Sequence, residues 1–459
     1  MSTQSSPTPA DEGPDRSPAA ASVRRGRIGW IVAGSLATGL VAALLLVAAP
    51  FIPAQESAVT GAVLCGFAAG WAMMAVLSVR FTDQPQPWAV VPAVVMGLGG
   101  VLLIGLGART YRVLNWVWPP LMLAVAIWMI VCVHRQLHSR GARWLLYPVI
   151  ALLALASIGG GYQTVRETAD ARAYPVPGQL IDVGGHRLHL HCTGSGAPTV
   201  VFEPGAGEMS SNLGRITPAV ARDTRICVYD RAGRGWSEPA DTPQDGAQIA
   251  TDLHTLLQRG HVPGPYVLAG HSFGGLYVLA YAARYPDEVA GLVLVDSTAP
   301  ASAATAAASP SDGDSYDLMG RISALGSASA RLGTGRLLAA VAQPDLPPRS
   351  RDEVRARSAT AATIGSAIDE YAQGGASARQ AASLTTFADK PLIVLTAGRG
   401  ADAAWIAAQN HLATLSSNSV HRVIADATHH GMVEDHAAVT TQAILDVVAS
   451  VRHPGPLPR

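Results

Sequence analysis

The sequence predicts an N-terminal all-α transmembrane domain of five helices followed by an α/β domain. The second domain carries a mainly parallel, eight-stranded sheet with helices on both faces and a helical cap inserted late in the chain. Three observations predict this. Five runs before residue 162 lack Asp, Glu, Lys and Arg and are apolar and long enough to cross a bilayer. After residue 178, short β patterns alternate with helical ones, as a parallel sheet requires. Between 299 and 385 that rhythm stops, and then it resumes.

Composition narrows the function. The 459 residues are 49% hydrophobic and carry a formal net charge of zero, which gives no reason to expect a nucleic-acid partner. Lys390 is the only lysine, a bias that fits a GC-rich genome. Four cysteines, two of them (Cys65, Cys132) inside apolar runs, exclude a disulfide scaffold and show no C-x-x-C metal or redox spacing.

Residues 1–27 are rich in Ser, Pro, Ala and Asp and are expected to form a disordered tail. The five runs are 28–52, 58–79, 88–108, 116–133 and 144–161, within a membrane domain of 28–162. With no ionisable group inside them, they suit an anchor better than a transporter. Gly66 and Gly70 form a G-x-x-x-G pair that permits close helix approach. His134 and His138 stand among Arg135, Arg140 and Arg143 and read as a solvated juxtamembrane face. Arg16, Arg24, Arg25, Arg27, Arg80, Arg135, Arg140 and Arg143 fall on the N-terminal side of the bilayer, against Arg109 and Arg112 on the other. The positive-inside rule therefore sets the N-terminus in the cytoplasm, and five spans set everything after 161 outside it.

A polar linker is expected at 163–177, then the α/β domain at 178–459. Strands are expected at 179–183 and 186–192, closed as a hairpin at Gly184-Gly185, and at 199–203 and 225–230. Further strands follow at 266–269, 290–296, 391–396 and 421–425. Helices are expected near 213–221, 247–258, 276–285, 403–415 and 437–451. The cap, 299–385, shows helical pieces at 351–360 and from about 376.

The chemistry centres on Gly270-His271-Ser272-Phe273-Gly274. A strand that turns directly into a helix at G-x-S-x-G forces the serine into a strained conformation with its hydroxyl exposed, which makes Ser272 the candidate nucleophile. Asp230, Gly233 and Gly235 read as loop architecture, and His189 with His191 lacks a third metal ligand nearby.

Five segments carry a resemblance: Val200-Val201-Phe202-Glu203-Pro204-Gly205-Ala206-Gly207, the run from Tyr229 to Ser237, GHSFGG, the segment from Leu292 to Asp296, and Ala427-Thr428-His429. On these, residues 178–452 resemble an α/β-hydrolase of the serine esterase and prolyl-aminopeptidase-like group. The resemblance implies His429 as the base for Ser272, with His430 its neighbouring rival. It leaves two aspartates open for the triad acid: Asp296, which ends the strand after the nucleophile helix, is favoured over Asp402. It implies oxyanion donors at the main-chain N–H groups of Phe273 and Ala206, and it brings Cys192 near Cys227, so that a disulfide is compatible with a domain on the oxidising side.

The reading is a membrane-anchored serine hydrolase of a bacterial cell membrane that cleaves a small-molecule ester or amide through an acyl-enzyme. It needs no cofactor and no metal, and its partners are the substrate and the lipid bilayer. A prolyl-aminopeptidase-like peptidase and a non-catalytic binding module on the same fold are the alternatives.

Overall fold

Away from water a main chain must satisfy its own hydrogen bonds, and the uncharged runs do so as helices. The computed structural model describes residues 27–300, 312–341 and 344–458. The expected tail and the arginines before Arg27 lie outside the described residues, as do 301–311 and 342–343 of the expected cap. The first helices are α1 (Arg27–Ala48), α2 (Glu56–Phe81), α3 (Val90–Leu106), α4 (Tyr111–Gln136) and α5 (Arg140–Ala173).

By length and composition, four segments among the described residues could cross a membrane: Ile28–Ala48, Glu56–Phe81, Pro87–Gln136 and Arg140–Ala173. The third spans 50 residues. As one straight helix it would reach about 75 Å, more than twice the roughly 30 Å of a hydrocarbon core. It is divided between α3 and α4 by a turn of 3-10 helix, Gly107–Thr110, where Gly107 takes φ +67°.

The chain forms two compact units. The first comprises, among the described residues, 27–52, 61–106 and 121–155. Its close packing depends on small residues. A Cβ on Gly66 would meet the Ala43 Cα at 2.3 Å, and one on Gly70 would meet the Ser35 carbonyl at 2.7 Å, so the G-x-x-x-G pair lies directly on α1.

The second unit holds 53–60, 107–120 and the described residues from 156 onward. Here the linker expected at 163–177 is instead helical as far as Ala173. Nothing breaks a helix before Pro175, and the pairs Gln163 with Glu167 (2.7 Å) and Arg166 with Asp170 (3.6 Å) support it at i,i+4.

Eight strands follow: β1 (Gln179–Asp182), β2 (Arg187–Thr193), β3 (Thr199–Glu203), β4 (Ile226–Asp230), β5 (Tyr266–His271), β6 (Val289–Val295), β7 (Leu392–Ala397) and β8 (Ser419–Ile424). They lie in the order β1-β2-β4-β3-β5-β6-β7-β8, antiparallel at β1–β2 and β2–β4 and parallel elsewhere. The central strands are apolar along most of their length because both faces are covered. Gly184 and Gly185, at φ +112° and +113°, close the first hairpin, and the Asp182 carboxylate accepts from the Gly184 N–H at 2.7 Å. Cys192 and Cys227 face each other across β2 and β4 with Cα atoms 4.0 Å apart and are disulfide-bonded.

Helices α6 (Ile216–Val220), α7 (Gly246–Arg259) and α8 (Phe273–Arg284) precede an insertion between β6 and β7. The insertion contains α9 (Asp312–Arg331), α10 (Thr334–Val341), α11 (Pro348–Ser358), α12 (Ala361–Ala372) and α13 (Gly374–Ala381). Sequence patterning anticipates only α11 and α13. The Ala- and Ser-rich segments carry little periodic signal, and α9 and α12 are helical through packing on each other, with the Ser323 hydroxyl donating to the Gly365 carbonyl at 2.9 Å. Helices α14 (Ala403–Ala413) and α15 (Ala437–Arg452) complete the domain.

Candidate active site

The strand-to-helix turn at the end of β5 places Ser272 at φ 53° and ψ −123°, a region a non-glycine residue rarely occupies. The glycines around it are sterically required. A Cβ on Gly270 would lie 2.5 Å from the Gly274 carbonyl oxygen, and one on Gly274 would lie 2.3 Å from that of Glu203. Gly275 is a third such position, since its Cβ would meet the Ser297 side chain at 2.3 Å. The turn is held by the Ser272 N–H donating to the Val295 carbonyl (3.1 Å) and the Thr298 N–H donating to the Ser272 carbonyl (3.0 Å).

Asp296 follows β6 directly and also has positive φ, 41°. Its Oδ2 accepts from His429 Nδ1 at 2.5 Å, while Oδ1 accepts from Trp405 Nε1 at 2.9 Å and from the Ala397 N–H at 3.1 Å. Burial opposes its ionisation, but these three donors outweigh that cost and hold the carboxyl below its ordinary range. Asp402 is exposed and caps α14, accepting from the Trp405 N–H at 2.7 Å. Of the two aspartates, Asp296 is the one that meets His429. Both border a cavity of about 500 Å³ that His429 and Trp405 also line.

His430 turns away toward Glu208, 3.5 Å from its Oε1. His271, buried behind the serine, donates from Nε2 to the His429 carbonyl (3.0 Å) and from Nδ1 to Glu208 Oε2 (3.0 Å). Burial pushes the His271 pKa down, and the Glu208 charge with both hydrogen bonds reverses this and raises it. Glu208 in turn is held well below the usual carboxylate range, against its burial, by His271 and His430. The Ser272 hydroxyl makes no hydrogen bond among the described residues; such contacts commonly tighten only when substrate binds.

The loop after β3 is clamped on both sides of Ala206. The Gly205 N–H donates to Glu208 Oε2 (2.6 Å), and the Gly207 N–H donates to Glu370 Oε2 (3.0 Å). The N–H groups of Ala206 and Phe273 meet no acceptor among the described residues.

A buried ion network supports this loop, and sequence reasoning missed it. Arg231 pairs with Glu203 and, at 2.6 Å, with Glu370, and it donates to the Pro204 and Gly205 carbonyls at 2.8 and 2.7 Å. Arg234 pairs with Glu370 at 2.6 Å. The available signal was the pair Arg231 and Arg234 within the run from Tyr229 to Ser237. Their partner Glu370 lies 139 residues from Arg231, so spacing could not identify it. Asp230 accepts from the N–H groups of Ser210 (2.7 Å) and Trp236 (3.1 Å), which makes it loop architecture. His189 has both ring nitrogens engaged, one by Asp230 (2.8 Å) and one by the Pro177 carbonyl (2.6 Å).

Comparison with known proteins adds the following. An uncharacterised protein of Schizosaccharomyces pombe is 34% identical over 154 residues, covering 27% of this chain and 29% of that protein. A putative carbamate hydrolase of Cronobacter sakazakii is 36% identical over 104 residues, covering 22% of this chain and 38% of that protein. In each case the match spans less than half of the relative. The enol-lactonase of Burkholderia xenovorans superposes with a TM-score of 0.46 at 22% identity, over 59% of this chain and 100% of its own. The family model for the alpha/beta hydrolase fold matches residues 198–436, more than half of the chain, with Ser272, Asp296 and His429 inside the match. By that match the chain belongs to the α/β-hydrolase fold family.

Proposed function

We propose that the protein is a membrane-anchored serine hydrolase that cleaves an ester or amide through an acyl-enzyme. The observation that carries this reading is the Asp296–His429 pair, 2.5 Å apart, in the same site as a serine held at positive φ on the strand-to-helix turn.

Asp296 accepts the Nδ1 proton of His429 and so leaves Nε2 unprotonated, able to receive the Ser272 proton during attack on a carbonyl carbon. The N–H groups of Phe273 and Ala206 stabilise the developing oxyanion. His429 returns the proton to the leaving alcohol or amine, and water then releases the acid by the same steps in reverse. The helices between β6 and β7 act as the cap.

Five crossings are our reading of the N-terminal region, with the third apolar segment crossing twice around 107–110. With the arginines setting the N-terminus in the cytoplasm, that number sets the hydrolase domain outside. Supporting this orientation, 53–60 and 107–120, the two connections that five crossings would expose outside, belong to the same compact unit as the hydrolase domain. The Cys192–Cys227 disulfide also suits an oxidising compartment.

A fluorophosphonate probe tests the proposal. Labelling of the folded protein that disappears in Ser272→Ala supports a serine hydrolase. Folded protein that takes no label is a non-catalytic module instead.

A further inference from the structure

Beyond the hydrolase site, three helix faces converge on a cavity of about 450 Å³. From α5 come Tyr162, Arg166 and Asp170, spaced four apart and therefore on one face, with Tyr174 one residue past its end. From α10 come Arg336, Ala339 and Ala340, and from α11 come Asp352, Arg355 and Ala356, each set at i, i+3, i+4. The alanines leave the space and the arginines supply the donors.

The charges are unequally used. Asp170 is shared by Arg336 (2.8 Å) and Arg166 (3.6 Å). Arg355 has no ion-pair or hydrogen-bond partner among the described residues. The Nε atoms of Arg336 and Arg355 are both buried without an acceptor. Buried donors of this kind cost free energy unless an acceptor reaches them, and planar guanidinium groups match the oxygens of a phosphoryl group. Asp352, exposed at the rim, opposes an anion but leaves three guanidinium groups against two carboxylates.

Position identifies the source of such a group. The last uncharged run ends at 161, and the cavity begins with Tyr162, one residue past the stretch that we read as membrane-spanning. That is the level of lipid headgroups. Leu337, Leu338 and Val341, on the other side of α10, are exposed by 72%, 69% and 82%, which suits a helix lying at a bilayer surface.

We propose that this cavity binds a phosphate group, with Arg355 and Arg336 as its principal donors and Arg166 at its mouth. The assignment of that phosphate to a phospholipid headgroup rests on the membrane reading above.

The test is thermal unfolding of the full chain in a neutral detergent, titrated with dihexanoyl phosphatidylglycerol or with inorganic phosphate. Saturable stabilisation by about 3 °C or more is expected. Arg355→Gln, which breaks no existing pair, and Ala339→Leu, which fills the space, should each weaken apparent affinity roughly tenfold or more. Fluorophosphonate labelling of both variants should stay unchanged. Stabilisation by the phospholipid but not by inorganic phosphate supports the headgroup; equal stabilisation by both identifies free phosphate and overturns the headgroup assignment. No saturable shift with either probe, or an equal shift in both variants, overturns the site. Alkaline carbonate extraction separates the two levels, because a chain released from membranes refutes the membrane reading whether or not phosphate binds.

Discussion

Two non-glycine residues in the site, Ser272 and Asp296, are held at positive φ, Ser272 by Val295 on β6 and Thr298 beyond it, and Asp296 by Leu395 and Ala397 on β7. Such strain persists only where the surroundings impose it. Asp296 has all three of its donors on other elements, so Asp296→Asn should keep the fold while presenting His429 in the wrong tautomer. We expect the turnover number on an ester to fall by about 10³–10⁴-fold. Asp402→Ala should leave turnover within about threefold and remove only a helix cap, worth about 1 kcal/mol in thermal or urea unfolding. A large loss of rate in Asp402→Ala with little in Asp296→Asn would reverse the assignment. His271 and Glu208 add a dependence on pH. His271 has its folded pKa raised, so its contribution to stability is complete below about pH 6.5 and is lost as pH rises through the folded value. Glu208 has its pKa lowered, so its contribution is present above about pH 4.3 and is lost as pH falls. A series of Tm against pH should slope downward above neutrality, and Glu208→Gln should flatten that slope.

Helix α12 links the insertion to the chemistry. Glu370 from this helix takes the Gly207 N–H, Arg231 and Arg234 at once, and Tyr371 lies against Phe273 with ring centroids 5.4 Å apart. Glu370 is held ionised despite its burial by the two arginines. Removing one member of a buried ion network leaves the others uncompensated, which costs about 3–5 kcal/mol. Glu370→Ala should therefore lower the denaturant midpoint by a corresponding amount. It should also reduce turnover, because Ala206 loses one of the two clamps beside it. An unchanged midpoint would show that the network is not closed as described. Near the end of α5, Asp170 pairs with Arg336 of α10 at 2.8 Å, and the Tyr174 carbonyl just past it accepts from Arg357 of α11 at 3.0 Å.

For the molecule as a whole, five crossings and four lead to opposite compartments for the hydrolase domain. Single cysteines read this directly. With a membrane-impermeant maleimide on intact cells, Ser417→Cys on the hydrolase surface should label and His138→Cys between α4 and α5 should not. Label on His138→Cys alone would invert the topology. Reduction gives a second readout. The Cys192–Cys227 bond closes a loop of 35 residues, and its removal should cost about 2–4 kcal/mol, seen as a lower Tm in reductant.

Much of this was legible in residue order. Uncharged runs, alternating strands and G-x-S-x-G express local physics: periodicity, main-chain satisfaction, and the glycines that a one-step turn demands. Boundaries were less legible where packing overrides propensity, as in the helical 163–173 and in α9 and α12, whose Ala- and Ser-rich sequences become helices against each other. The sequence by itself determined the membrane-length helices, the sheet and Ser272 on its turn. Only the tertiary structure decided that Asp296 rather than Asp402 meets His429, that Glu370 clamps the loop beside Ala206, and that three helix faces enclose Arg355 with no ion-pair partner among the described residues. Each of these depends on side chains 133 or more residues apart, or on separate helices, that meet only after the sheet has closed, and no spacing along the chain encodes such a meeting.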